Sequence, residues 1–324
     1  MNNNIIKIFC PVCIRDTGHR LLLKAKKFEH NLYACQECEL RRLYPIPESY
    51  IMQGMYEDIA TAYDNSKAEY SLRSAEFYLR EINKLNSIKR KTLLDIGCGL
   101  GYYSNAFGKI GLDVTVVEPD KVSYEFCEKH QKKIKRIIKV PLENYLKNAA
   151  DTYDIIYCRH VIEHLNTPLE TLKDLRNVCH DDTIIILETD NNDSTEMLEH
   201  PESKRYWGKY YIKNYHTKSL DEVKHLHVTA LGIKNTHYYA YNRNNLSKFF
   251  NNIGFQVITC SDYHLGNKFL WPNVPDYSSN KVFFRLPKYL LYLGEVMQYR
   301  KRINKIQGAG LIFFAKPLAE NKFT

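Results

Sequence analysis

The sequence lacks any long hydrophobic run. Its most apolar segments, such as TIIIL and LIFFA, are far shorter than the ~20 residues that a membrane-spanning helix needs. The first residues, MNNNI, do not have the form of a signal peptide. Hydrophobic residues make up 44% of the chain, which is enough for a packed globular core, so the composition does not indicate disorder. We therefore expect a folded cytoplasmic protein without a transmembrane segment.

Positive charge is also not concentrated in one block. The formal net charge is +9, but the lysines are scattered along the chain. An excess of positive charge suits an anionic substrate or nucleic acid, and scattered charge is weak evidence for either. A basic amphipathic stretch covers residues 281–305. Packing of this stretch on a sheet is favoured over contact with a membrane or a partner helix.

Disulfide bonds are not expected from the nine cysteines, because a cytoplasmic protein keeps its thiols reduced. Four of them form two C-x-x-C pairs, Cys10 with Cys13 and Cys35 with Cys38. Two such turns can bring four thiolates to one tetrahedral ion, as in a zinc ribbon. No position remains for water, so the predicted Zn²⁺ is structural. We assign residues 1–45 to this ribbon, because two prolines then interrupt the chain.

The most informative stretch is TLLDIGCGLGYYSNAF, residues 92–107. Its apolar start predicts a buried strand, a helical pattern begins at Tyr102, and three glycines lie between them at Gly97, Gly99 and Gly101. Glycine permits a sharp turn and a close approach of the backbone to a ligand. The amides of a helix N-terminus attract an anion. The sequence therefore predicts a carboxylate or phosphate at this turn.

The spacing differs from that of a dinucleotide site. The turn reads G-x-G-x-G rather than G-x-G-x-x-G, and it holds no basic residue for a pyrophosphate. The next predicted strand, DVTVVE, ends on Glu118, which is placed to accept hydrogen bonds from two ribose hydroxyls. These features favour a nucleoside whose other end is an amino acid.

Strands and helices alternate from residue 92 onwards, which predicts a parallel sheet with helices on both faces, an α/β Rossmann-like fold. Ligands of such sheets bind at the carboxyl ends of the strands. That rule gathers the candidate cofactor-binding residues into one crevice: Asp95, Gly97, Cys98, Gly99, Gly101, Tyr102, Glu118, Pro119, Leu142, Cys158 and Arg159.

Four blocks, LLDIGCGLG, VVEPD, DIIYCRHVIEHL and TIIILETDN, resemble the class I S-adenosylmethionine (SAM) methyltransferases. The resemblance covers residues 91–191 and implies SAM as the methyl donor, with Leu142 beside its adenine. It also implies a methyltransferase domain over residues 91–324 and a helical linker or lid over residues 46–90. Three lid tyrosines could contact the ligand, although helix packing is favoured for each: Tyr56, Tyr63 and Tyr70.

Histidine is the side chain whose pKa best suits proton removal near neutral pH. In similar enzymes an H-V-x-E-H-L block lies beside the methyl group, which implies catalytic roles for His160, Glu163 and His164. An equally weighted alternative is that Glu163 and His164 only brace the following helix. The block HYYAYN resembles the H-x-x-x-F-S block of sugar C-methyltransferases that carry a four-cysteine zinc site. This resemblance makes His237 the leading candidate for the base.

The segment from about residue 191 to about residue 240 is polar and aromatic, and we predict an insertion over the active site that sets substrate choice. A metal site at His225 and His227 is disfavoured, because no acidic pair completes it. The expected function is methyl transfer from SAM to a small-molecule acceptor, a sugar or nucleotide sugar of surface-polysaccharide or secondary metabolism. Two alternatives are an RNA methyltransferase that uses the zinc ribbon and the basic surface, and a non-catalytic SAM-binding module. The sequence does not specify the methylated atom or the oligomeric state.

Overall fold

The computed structural model describes residues 5–26, 29–46, 63–85, 91–193, 216, 231–232, 235–263 and 310–318. The strands within them are β1 (Ile5–Cys10), β2 (Arg15–Leu23), β3 (Asn31–Cys35), β4 (Arg41–Tyr44), β5 (Thr92–Ile96), β6 (Asp113–Val117), β7 (Ile134–Ile138), β8 (Tyr153–Arg159), β9 (Cys179–Asp190), β10 (Leu231–Gly232), β11 (Asn235–Thr236), β12 (Tyr239–Ala240), β13 (Phe255–Tyr263) and β14 (Gly310–Pro317). The α-helices are α1 (Asn65–Leu85), α2 (Tyr102–Lys109), α3 (Lys121–His130), α4 (Leu142–Asn148), α5 (Pro168–Asp174) and α6 (Arg243–Asn252).

A seven-stranded sheet has the order β7-β6-β5-β8-β9-β14-β13. Strands β5 to β9 are parallel, and β14 runs antiparallel to both β9 and β13. The strand order reverses between β5 and β8, because β6 and β7 extend to one side of β5 while β8 and β9 extend to the other. Such a reversal opens the crevice in which α/β sheets bind ligands.

Helices cover both faces of this sheet. Leu93 of β5 belongs to one apolar core with Ala75 of α1 and Phe107 of α2. Its neighbour Leu94 belongs to the core of the opposite face, with Leu146 of α4. Successive strand residues point to opposite faces, so a strand covered on both sides must be apolar throughout. The predicted α/β Rossmann-like fold is confirmed.

Helix α1 begins at Asn65, inside the helical linker predicted for residues 46–90, of which residues 47–62 and 86–90 are outside the described part. A side-chain oxygen of Asp64 accepts hydrogen bonds from the backbone amides of Ser66 at 2.9 Å and Lys67 at 3.1 Å. These bonds satisfy amides that a helix start leaves unpaired. The buried residues repeat every three or four positions, so one face packs on the sheet: Ser71, Ala75, Tyr78 and Ile82.

Strands β1 to β4 form an antiparallel sheet, which contains the predicted zinc ribbon, and β12 adds to its edge. Tyr239 pairs with Arg42 and Ala240 with Arg41. The N-terminal sheet also shares an apolar core with the rest of the structure, because Leu43 of this sheet belongs to the same core as residues of α6. The N-terminal sheet therefore packs as part of the larger structure and takes one strand from the second half of the chain.

Several predicted features lie outside the described residues. They are Tyr56, the basic stretch 281–305 and most of the insertion, including His225 and His227. Among the described helices, none is both long and apolar enough to cross a membrane.

Candidate active site

The turn at residues 97–101, here called the glycine turn, depends on glycine at specific positions. Gly97, Gly99 and Gly101 have φ values of 66°, 53° and 69°. A Cβ atom at Gly97 would lie 2.6 Å from Cγ2 of Val161, and one at Gly101 would lie 2.5 Å from Sγ of Cys127. Both the left-handed backbone and the close packing exclude larger residues. The turn leads directly into α2, whose N-terminal amides can hold an anion.

Glu118 follows β6 and lies against the glycine turn. The residue is 5% exposed, and its carboxylate accepts hydrogen bonds from the backbone amides of Gly99 at 2.8 Å and Asp120 at 3.0 Å. Burial raises the pKa of Glu118 to about 7 in spite of these bonds. A carboxylate has about four acceptor positions, so about two remain. The residues present are therefore compatible with a nucleoside whose ribose hydroxyls donate to Glu118.

Asp95 ties the glycine turn to the following helix. Its carboxylate is buried and accepts a hydrogen bond from Oγ of Ser104 in α2 at 2.5 Å. Burial raises the pKa of Asp95 to about 7. Asp95 and Glu118 thus place two carboxylates with raised pKa values on either side of the same turn.

The predicted lid tyrosines occupy different environments. The ring of Tyr63 lies 5.3 Å from that of Tyr102, and the hydroxyl of Tyr102 accepts a hydrogen bond from the amide of Asp64 at 2.7 Å. Tyr70 is 41% exposed. The segment before α1 therefore contacts the start of α2 through Tyr63.

The remaining predicted cofactor residues lie along the same edge of the sheet. Leu142 and Cys158 line an apolar cavity together with Val161. The side chain of Cys98 lies 3.8 Å from that of Cys127, measured between the sulfurs. Pro119 is exposed next to Glu118.

Arg159 is held by a carboxylate that the sequence analysis missed. Its Nε atom donates to Oε2 of Glu188 at 3.1 Å, and its guanidinium lies 4.9 Å from the ring centroid of Tyr103 in α2. The other oxygen of Glu188 accepts hydrogen bonds from the hydroxyls of Tyr78 at 2.7 Å and Tyr157 at 2.5 Å. The signal in the sequence was a single acid inside the apolar run TIIILE.

The turn after β8 holds three of the predicted catalytic residues. His160 has a φ of 50°, a strained value for a residue with a Cβ atom. Its Nδ1 lies 3.0 Å from Oε1 of Glu163, and Oε2 of Glu163 accepts a hydrogen bond from Oγ1 of Thr189 at 3.0 Å. Burial raises the pKa of Glu163, but the bond with His160 and the neighbouring imidazoles outweigh it and lower the pKa to about 2.

His237 reaches this turn through the segment that carries β12. The amide of Tyr238 donates to the backbone oxygen of Glu163 at 2.7 Å, and the oxygen of Tyr238 accepts from the amide of Leu43 at 2.9 Å. The rings of His237 and His164 meet edge to face, with centroids 4.6 Å apart. The structure thus brings all four predicted catalytic residues together.

Asp190, at the end of β9, is a fifth member of this group that the sequence analysis missed. Its Oδ2 lies 3.3 Å from Nδ1 of His237, and its Oδ1 lies 3.9 Å from Nδ1 of His160. Burial raises the pKa of Asp190 and lowers that of His237. The available signal was an acid at the carboxyl end of a predicted strand. We call the complete group the histidine cluster: His160, Glu163, His164, Asp190 and His237.

The four predicted zinc ligands converge at one end of the N-terminal sheet. The sulfurs of Cys10 and Cys38 are 3.6 Å apart, and those of Cys13 and Cys35 are 4.0 Å apart. Tetrahedral Zn²⁺ with Zn–S distances of about 2.3 Å places its sulfurs about 3.8 Å apart. Burial and the neighbouring thiols raise the pKa of Cys13 to about 12, so four thiolates need a cation to coexist. The cluster is therefore compatible with a zinc ribbon.

A family model described as "Methyltransferase domain" matches residues 70–260. The match covers more than half of the chain, including the glycine turn and the histidine cluster. The chain belongs to the methyltransferase-domain family.

The relatives and solved structures agree with this assignment. Over 115 residues the chain is 27% identical to the ubiquinone biosynthesis O-methyltransferase of Actinobacillus pleuropneumoniae serotype 7 (strain AP76), which covers 33% of this chain and 49% of that protein. Over 136 residues it is 26% identical to the ribosomal protein L11 methyltransferase of Thermotoga petrophila, with 42% and 49% covered. The chain thus spans about half the length of these curated relatives.

Among solved structures, the plantazolicin methyltransferase BpumL in complex with SAH has a TM-score of 0.50 and 15% sequence identity. The similarity covers 84% of this chain and 95% of that chain. At this identity the likeness supports the fold alone.

Proposed function

We propose that this protein transfers a methyl group from SAM to a small-molecule acceptor. The observation that carries the proposal is the glycine turn packed against Val161, which lies between His160 and Glu163. Through this contact the glycine turn adjoins the histidine cluster. Membership of the methyltransferase-domain family supports the same activity.

In this proposal the residues around the glycine turn hold the donor. Glu118 accepts hydrogen bonds from the ribose, and the start of α2 with Arg159 holds the amino-acid carboxylate. Asp95 fixes the turn, while Leu142 and Cys158 provide the apolar surface for the adenine. When bound, SAM supplies an electrophilic methyl group. The protein's task is to align donor and acceptor, exclude water and accept the proton.

The histidine cluster is proposed as the acceptor side. His237 is the proposed base, because burial keeps its pKa below the ordinary value and therefore leaves it neutral and able to take a proton near pH 7. The bond between His160 and Glu163 holds the turn after β8 in its strained conformation. Zn²⁺ at the four cysteines has a structural role, because four thiolates leave no open position for a substrate.

The acceptor we favour is a sugar or a nucleotide sugar. The polar and aromatic composition of the insertion supports a small polar acceptor, as does the likeness of the HYYAYN block to sugar methyltransferases. The similar proteins are named for ubiquinone biosynthesis, a ribosomal protein and plantazolicin. Phenolic quinone precursors and peptides are therefore the competitors to compare with sugars.

Calorimetric titration with SAM, with Gly99→Arg as the control, tests the donor half. Transfer of an isotope-labelled methyl group to panels of nucleotide sugars, phenolic quinone precursors, peptides and RNA tests the acceptor. We expect micromolar SAM binding that Gly99→Arg abolishes, and labelled product from a nucleotide sugar. Product from RNA alone would contradict the small-molecule proposal. SAM binding without transfer to any acceptor would favour a non-catalytic binding module.

A further inference from the structure

The histidine cluster contains two pairs of an imidazole and a carboxylate, and they are not equivalent. Nδ1 of His160 lies 3.0 Å from Oε1 of Glu163, whose Oε2 accepts from Thr189. Both oxygens of Glu163 therefore already have a polar partner. This pair stabilises the turn that lies against the glycine turn.

The second pair joins His237 to Asp190, with 3.3 Å between Nδ1 and Oδ2. Nδ1 is fully buried and has no aligned hydrogen-bond partner, whereas the His237 side chain as a whole is 11% exposed. The exposed part of the side chain therefore does not include Nδ1. Catalytic hydrogen bonds are often misaligned before substrate binds and tighten afterwards. Nδ1 of His237 faces the Asp190 carboxylate without an aligned bond, so it can form this hydrogen bond when the acceptor binds.

We infer that Asp190 is the positioning residue of His237: it accepts a hydrogen bond from Nδ1, so that Nε2 remains free to act as the base toward a hydroxyl group of the acceptor. This inference rests on the proposed function. A carboxylate placed in this way selects the tautomer of the imidazole, fixes its orientation and stabilises the imidazolium that forms. Asp190 acts through His237 and need not touch the substrate.

The proton balance points to a hydroxyl acceptor. The O–H bond breaks and its proton goes to Nε2 of His237, while the oxygen's electron pair forms the new O–C bond. The donor's C–S bond breaks, and its electron pair stays on sulfur. A neutral amine already has a free electron pair and needs no base before it attacks, whereas a hydroxyl or an acidic C–H group does. Of these two, hydroxyl groups are the ones that every sugar acceptor carries.

The effect of pH must be judged with all nearby charged groups. The groups that face His237 and Asp190 come from the turn after β8 and from β8 itself: His160, Glu163, His164 and Arg159. Burial lowers the pKa of His237, which keeps the imidazole neutral near pH 7. The Glu163 carboxylate acts in the opposite direction and raises the pKa of His237. Loss of the Asp190 carboxylate, whose Oδ2 lies 3.3 Å from Nδ1, would remove a second nearby negative charge and lower this pKa further.

The experiment compares Asp190→Asn with Asp113→Asn in the full chain. Asp113 is exposed at the amino end of β6, where it pairs with Lys135. Each of the two variants removes one negative charge. Nitrogen-15 NMR of the histidine rings, with His237→Asn for assignment, reads the tautomer without any turnover. Calorimetry gives the SAM affinity, and transfer assays from pH 5.5 to 9 give kcat and KM.

We expect the Nδ1–H tautomer in the wild type and in Asp113→Asn, and a mixture of tautomers in Asp190→Asn. We also expect Asp190→Asn to lower kcat by 100-fold or more, to shift the acid limb of the pH profile downward, and to leave SAM affinity within threefold. The methylated product should be an ether.

An unchanged tautomer and pH profile in Asp190→Asn would overturn the positioning role while leaving the proposed function intact. The tautomer change without transfer to any acceptor would reject the proposed function instead, and an N-methyl product would reject the hydroxyl.

Discussion

The two sides of the crevice are assembled differently. The donor side, meaning the glycine turn and Glu118, comes from residues 92–118, which form two adjacent strands and the helix between them. The histidine cluster comes from three separated parts of the chain: the turn after β8, the end of β9 and the segment before β12. The donor side therefore depends on local backbone geometry, and the histidine cluster depends on packing between distant segments.

Hydrogen bonds connect the histidine cluster to the N-terminal sheet. Tyr238 connects the amide of Leu43 in the cysteine-bearing sheet to the backbone oxygen of Glu163. Nη1 of Arg41 donates to the side chain of Asn192 at 2.8 Å, two residues after Asp190. The N-terminal sheet is thus bonded directly to segments that carry the histidine cluster, whereas the glycine turn bonds to Val117, Glu118 and Gln131.

Gly97→Ala should have the largest effect on SAM affinity. The new methyl group would lie 2.6 Å from Val161 in a left-handed backbone conformation. We expect SAM affinity to fall by 30-fold or more, because relief of the clash must move the turn. Gly111→Ala is the matched control, since its φ is +100° but nothing lies within 4 Å of the added atom. Equal SAM affinity in the two variants, measured by calorimetry, would show that packing at Val161 is unimportant.

Cys38→Ser should impair methyl transfer without weakening SAM binding, which distinguishes the acceptor side from the donor side. At the proposed zinc site, loss of one of the four ligands should lower the bound zinc to less than about one fifth of the wild-type content and loosen the edge at which β12 pairs with β4. We expect methyl transfer to fall about tenfold or more, with SAM affinity within threefold of the wild type. Hydrogen exchange should be faster at residues 238–241. Cys260→Ser, which removes a thiol outside the cluster, is the control, and loss of SAM affinity in Cys38→Ser alone would contradict the separation.

The geometry of the glycine turn could be predicted from the sequence because its signals are local. Three glycines between a strand and a helix define the turn, and an acid follows the next strand. The convergence of the four cysteines was also predictable from the spacing of their two pairs. Asp190, Glu188 and the pairing of β12 with β4 were not predictable, because each depends on contacts between segments far apart in the chain. His237 was found through resemblance, whereas its carboxylate partner required the structure.

Arg41→Ala should have a smaller effect, confined to the acceptor side. It removes the hydrogen bond to Asn192 while leaving the four cysteines in place. We expect the acceptor KM to rise about three- to tenfold, because the bond is partly buried and worth about 1 kcal/mol. Arg15→Ala is the control, since Arg15 forms an exposed ion pair with Glu37 in the same sheet. A matching rise in the KM for SAM would show that Arg41 does not act on one side only.

The smallest effect is a dependence of stability on pH that originates on the donor side. The pKa of Glu118 is about 7 in the folded protein against 4.5 for an ordinary glutamate, so the folded state binds more protons between these values. The free energy of unfolding should therefore fall as pH rises through that window. Between pH 6 and pH 8 we expect Glu118 to contribute a loss of about 1 kcal/mol.

Glu118→Gln tests this by thermal unfolding at several pH values. The variant should lose less stability than the wild type between pH 6 and pH 8, although it should bind SAM more weakly at every pH. Saturating SAM should reduce the wild-type decline, because hydroxyls that donate to the carboxylate favour its charged form. Asp95 also has a pKa raised to about 7, so part of the decline should persist in Glu118→Gln. Identical pH slopes in the two proteins would mean that Glu118 does not hold a shifted proton at this turn.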